Sequence, residues 1–228
     1  MKLKKIASLM LAGVMAVSML AGCSTASDKE EGGASSNPTA PTTSNVVTYA
    51  NDCLSGAQKE VFTFKASSEL DTILKAAATD VDNMDSNNIA NIFKSTTVNR
   101  GFNKGDNDGE KKILKAVKGK LDGIVTDNFT NLPTTNINTQ KAVEVYSVSG
   151  AFEEKAAIQK VVNDYKVNIA SAGFPESVGN KACEYEAEIS AIKVVSPEKS
   201  NDTAWIVAMV FTQTSTSTAN TANTASSK

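Results

Sequence analysis

Histidine is missing from this 228-residue chain. Its absence removes the usual general base at neutral pH and excludes Ser-His-Asp and Cys-His machinery; carboxylate pairs and Ser-Lys pairs survive. Arginine is almost missing as well: Arg100 is the only one among the 23 basic residues, against 25 acidic ones. A surface so poor in arginine and short of positive charge is badly suited to nucleic-acid phosphates or anionic lipid, which need clustered basic groups. No P-loop, Rossmann glycine pattern or HExxH is present. Cysteine is scarce, at Cys23, Cys53 and Cys183. Two distant cysteines without histidine do not make a zinc site, so neither metal nor cofactor is expected. No apolar run reaches the roughly 20 residues that a membrane-spanning helix needs.

The longest apolar run lies at the start. Lys2, Lys4 and Lys5 precede a stretch from Ile6 to Leu20 interrupted only by Ala, Gly and Ser, and no acidic residue comes before Asp28. That order is the pattern of a secretory signal rather than of a domain element. Leu20-Ala21-Gly22-Cys23 closes the run. These four residues resemble the lipobox of bacterial lipoproteins, in which a Leu, two small residues and a Cys mark cleavage and lipidation. The resemblance covers residues 1–23 only and implies that residues 1–22 are a signal peptide. It further implies that the Cys23 thiol receives a diacylglyceryl group and becomes the new N-terminus, on the outer face of a membrane. Two acyl chains on one cysteine hold a domain where a single chain binds only reversibly. The chain without its signal has 20 basic and 25 acidic residues, a net charge of −5. Cys53 and Cys183 are then an even pair in a compartment where disulfides persist. They are read as a possible disulfide, closing a loop of about 130 residues, or as two free thiols.

Composition divides the rest. Residues 23–45 are rich in Ser, Thr, Gly, Pro and charge and lack large apolar side chains, so they read as a lipidated flexible tether. Residues 213–228, QTSTSTANTANTASSK, read as a disordered low-complexity tail. Residues 46–212 remain, a length that suits one domain.

Within it, Val61 to Phe64 is β-prone. Leu70, Ile73, Leu74, Ala77, Val81 and Met84 share a helical face, after an N-cap at Ser67 or Ser68. Ile89, Ile92 and Phe93 indicate a short second helix, and Ile113, Leu114, Val117, Leu121 and Ile124 the stripe of a third, capped by Asp108. Ala142–Val148 reads as a strand. Phe152, Ile158, Val161, Val162, Tyr165 and Ile169 form another helical stripe, stopped by Gly173 and Pro175. Cys183 to Ala191 alternates apolar with polar, Ala204 to Phe211 is apolar on both faces, and the two pair as a C-terminal β-hairpin. The order describes an α+β domain, an antiparallel sheet with helices packed on one face.

Candidate chemistry is sparse. Asp106-Asn107-Asp108-Gly109 looks like the middle of a calcium loop, but Lys104 and Lys115 stand where an EF-hand needs acidic ligands. Asp80, Asp82 and Asp85 read as loop solvation. Glu184, Glu186 and Glu188 project from one strand face, either as its wet side guarding a sheet edge or as a site for cationic sugars or peptides. Trp205, in an apolar strand, reads as core rather than as a carbohydrate platform. The sequence therefore points to a membrane-anchored lipoprotein of the cell envelope, outside the cytosol. Its role is a binding or structural module with an envelope-protein or cell-wall partner. The alternatives are a carboxylate-dependent cell-envelope hydrolase and the solute-binding lipoprotein of a transporter.

Overall fold

A computed structural model describes residues 43–80, 99–100, 108–126, 129, 138–166, 173–195 and 203–217. All of them belong to one compact unit, Asn37–Lys228. The chain order is α1 (Thr43–Asp52), α2 (Gly56–Val61), β1 (Phe64–Lys65), α3 (Ser68–Thr79), β2 (Asn99–Arg100), α4 (Asp108–Lys118), β3 (Val125–Thr126), β4 (Thr139–Ser149), α5 (Glu154–Tyr165), β5 (Ser177–Val178), β6 (Lys181–Val195) and β7 (Thr203–Ser217). The strands make a single seven-stranded sheet ordered β1-β6-β7-β4-β2, with β3 also on β4 and β5 also on β6.

The expected C-terminal hairpin is present and long: β6 and β7 pair antiparallel from Lys181↔Ser217 to Val195↔Thr203. β4 lies antiparallel on the other side of β7. The sheet is nevertheless mixed, which corrects the expectation of a purely antiparallel one. β1 runs parallel to β6, and β3 runs parallel to β4. Both parallel pairs join segments separated by enough chain to cross over, so no hairpin forces them antiparallel.

Helix placement is corrected too. Helices cover both faces of the sheet rather than one. On the first face α3 and α4 put Leu70, Leu74, Ile113 and Val117 against Val143, Val145, Ile192, Ile206 and Val210. On the second, α1 and α5 put Val46, Ala50, Ile158 and Val162 against Tyr146, Ile189, Val207 and Met209. The cause is the period of two. In β7 the even residues from Ala204 to Val210 enter the first core and the odd ones from Trp205 to Phe211 enter the second. A strand apolar on both sides needs a cover on both.

Several boundaries move. β7 continues to Ser217, so Gln213 to Ser217 belong to the sheet and not to a disordered tail. Gln213 and Ser215 are fully buried. At the other end α1 begins at Thr43, inside the segment read as tether, because Val46 and Ala50 are core residues of the second face. The β-prone run near Val61 is split: Val61 closes α2 and only Phe64 and Lys65 form a strand. Ser67 is the N-cap of α3, its hydroxyl accepting from the Leu70 amide at 3.2 Å. Val81, Met84, Ile89, Ile92, Phe93 and Ile169 lie outside the described residues. No helix among the described residues is long and apolar enough to cross a membrane.

Candidate functional site

The sheet edge next to β6 is made of two short strands with a gap between them. β5 pairs with Lys181 and Ala182, and β1 pairs with Ala187 and Glu188. Cys183, Glu184 and Tyr185, in the gap, border a cleft of roughly 600 Å³.

The rest of its lining is set by local sequence. Ala57, Glu60 and Val61 come from α2, at the spacing that places residues on one helical face. This helix has six residues and stands because both ends are tied. Ser55 and Gln58 form a reciprocal capping box, at 3.3 Å and 2.9 Å. The Gln58 side-chain amide also donates to the carbonyl of Lys166, at the end of α5, at 3.3 Å. Phe174 and Glu176 come from the segment leading into β5. The Cys183 amide donates to the Glu176 carbonyl at 2.9 Å, which fastens that segment to β6.

Beneath the cleft lies a cluster of aromatic rings. Phe174 stands 5.1 Å from Phe62, 5.7 Å from Phe129, 5.1 Å from Tyr185 and 5.3 Å from Phe211, centroid to centroid. These are ordinary tilted and edge-on aromatic distances. The Tyr185 hydroxyl donates to the Pro175 carbonyl at 2.7 Å and accepts from the Gln213 amide at 2.9 Å. Burial pushes the Tyr185 phenol up to about 12, with the Gln213 N–H opposing the shift. The cleft thus has an apolar, aromatic floor, and three exposed acidic residues, Glu60, Glu176 and Glu184, border it. Glu60 and Glu176 come from the segments facing β6, whereas the alternation along β6 puts the Glu184 side chain on the first face of the sheet, opposite Tyr185. None of its lining residues is basic.

The residues singled out from sequence are only partly gathered here. Cys183 and Glu184 line the cleft. Glu186 instead forms an exposed ion pair with Lys65, 2.7 Å apart, and Glu188 is half-buried beside β1. Of this acidic strand face, Glu188 lies opposite β1, while Glu184 and Glu186 fall in the gap between β5 and β1. Cys53 and Cys183 are both free, so the possible disulfide is not formed. The two thiols sit on different elements, and each is satisfied locally. Cys53 donates to the Tyr49 carbonyl one helical turn back at 3.3 Å, and Cys183 points to the Lys181 carbonyl at 4.0 Å. Burial also pushes the Cys53 thiol up, against the pull of Lys166. Trp205 is core, as expected: it is buried on the second face and its ring N–H donates to the Phe152 carbonyl at 3.0 Å. Asp82, Asp85 and Asp106 lie outside the described residues, as do Leu20, Ala21, Gly22 and Cys23.

Phe174, Glu176, Tyr185 and Gln213 carried no signal that marked them as a group. Tyr185 stood within a recognisable strand, and Gln213 stood in a polar stretch that hydropathy assigned to the tail. No protein-family model, curated protein or solved structure matches the chain.

Proposed function

We propose that this protein is a lipoprotein of the cell envelope, held by lipid on Cys23 at the outer face of a membrane, whose folded domain is a binding module. The lipobox at Leu20-Ala21-Gly22-Cys23 supports the address. The observation that carries the binding role is the cleft between α2 and β6, where Glu60 and Glu176 border an aromatic floor and no lining residue is basic. Carboxylates attract a cation, and the negative faces of aromatic rings favour it further once water is excluded. The ligand class that fits is a small organic cation or a basic peptide side chain with an apolar stem, presented by an envelope or cell-wall partner. A hydrolase would need one carboxylic acid kept protonated beside a second in the same cleft. Glu154, whose carboxyl burial raises, is in α5 and does not line the cleft.

Two measurements test the two halves. Cys23→Ala should release the protein from membranes or leave it unprocessed; a variant processed and sedimenting like the parent would remove the lipid anchor. Titration with a short lysine-rich peptide, followed by NMR, should move the signals of Cys183 and Tyr185 saturably. Glu60→Gln combined with Glu176→Gln should abolish those shifts. Absence of saturable shifts in the parent protein would end the cationic-ligand reading.

A further inference from the structure

The cleft's outer wall, Phe174 to Glu176, is held from inside the sheet. Gln213 is the centre of one rung across three strands: it faces Gln140 on β4 and Tyr185 on β6. Along this rung the side chains bond in series. The Gln140 amide donates to the Gln213 carbonyl oxygen at 2.7 Å. The Gln213 amide nitrogen donates to the Tyr185 hydroxyl at 2.9 Å and to the Phe129 carbonyl at 3.4 Å. The Tyr185 hydroxyl, its lone-pair side occupied by Gln213, turns its own proton to the Pro175 carbonyl at 2.7 Å. Gln213 has no exposed surface. A buried amide engaged at both ends fixes the orientation of every partner, because any rotation strands a polar group away from water.

We infer that Gln213 is a positioning residue of the cleft, holding the Phe174–Glu176 wall closed through the Tyr185 hydroxyl. The inference builds on the cleft of the proposed function but not on what fills it. The wall has a second tie, the Cys183 amide on Glu176, and Phe174 plugs the aromatic cluster between them. Breaking the Tyr185–Pro175 bond leaves the Phe174–Glu176 wall with that outer tie as its remaining hydrogen bond to β6 and with the packing of Phe174. Because burial keeps the phenol protonated up to about 12, the latch holds throughout the neutral range and is not a pH switch.

The test uses the full chain with Cys23→Ser and Cys53→Ser, so that Cys183 in the cleft is the sole thiol. Its labelling by a maleimide reports opening of the wall, and hydrogen exchange of the Cys183 amide reports the tie to Glu176. Tyr185→Phe, which removes one oxygen atom and keeps the ring, should speed both by about tenfold, the factor that accompanies loss of one hydrogen bond's net contribution. Gln213→Leu should do the same. The acceleration should be insensitive to low urea, as local opening is, whereas global unfolding responds steeply. Tyr185→Phe labelling at the parent rate, or faster only in step with urea-driven unfolding, would overturn the inference. These readouts need no ligand, so they stand apart from the peptide titration: either result can fail while the other holds.

Discussion

The two faces of the sheet are built from different materials. The face under α3 and α4 is aliphatic, with Leu, Ile, Val and Ala filling its core. The face under α1 and α5 carries the buried aromatic rings among the described residues: Phe62, Phe64, Phe129, Tyr146, Tyr165, Trp205 and Phe211. Small residues on the sheet make room for the rings: the rung through Phe211 has Ala142 on one side and Ala187 on the other. Branched aliphatic side chains fill space evenly. Planar rings pack at preferred angles and leave gaps at their edges, and Tyr adds a polar tip that must be bonded. The cleft and the buried amide relay both belong to the aromatic side. A sheet with two covered faces thus divides its work: one face closes the fold, and the other also shapes a recess.

The largest expected effect compares the faces directly. Phe211→Ala removes a ring stacked on Tyr165 at 4.9 Å and in contact with Phe62, Phe64 and Phe174, and should lower stability by about 3–5 kcal/mol. Ile206→Ala, its counterpart on the aliphatic face of β7, should lower it by about 2–5 kcal/mol, while only Phe211→Ala should also disturb Cys183 and Tyr185. Urea unfolding with NMR of the folded state checks both, and equal disturbance of the cleft by the two variants would break the comparison. Gly150→Ala comes next. Its N–H donates to the Thr203 carbonyl at 2.7 Å, and a Cβ there would land on the backbone and side chain of Thr203. Forcing β4 and β7 apart should cost about 1–3 kcal/mol, felt on both faces because β7 lies between them; urea unfolding and Trp205 fluorescence report it. Ser67→Ala touches only the aliphatic side, removing the cap of α3 at about 1 kcal/mol and leaving the cleft signals in place. The smallest effect at neutral pH is confined to the aromatic side. The folded Tyr185 phenol titrates near 12, above its ordinary value of 10.0, so the folded state binds the proton more tightly than the unfolded one. Its contribution is intact below pH 10 and is lost as pH rises toward about 12, so the melting temperature should fall across that window, and Tyr185→Phe should flatten the fall.

How much of this was legible depends on how far each residue's behaviour is set by its neighbours in sequence. The stripes Leu70-Leu74-Ala77 and Ile158-Val161-Val162-Tyr165 show their helices because a buried helical face repeats every three or four residues. α1 was hidden: Val46, Val47 and Thr48 are β-branched and sit in a polar context, and only packing against α5 and β6 makes them helical. β7 was legible to Phe211 and no farther, since Gln213 and Ser215 look like tail residues until their partners on β4 and β6 are in place. The two-sided cover of the sheet could have been read from the unbroken apolar run in β7, which has no wet face to spare. The cleft could not, because its lining comes from α2, the segment before β5, and β6, and no local pattern links them.

By itself the sequence determined the elements with strong periodicity, the β6–β7 hairpin and the Leu20–Cys23 motif, because each depends on residues a few positions apart. Tertiary structure alone decided the parallel edge strands, the lining of the cleft and the placing of Gln213 between Gln140 and Tyr185. Those features are contacts between residues distant along the chain, and a buried polar group acquires its meaning only from the partner that reaches it.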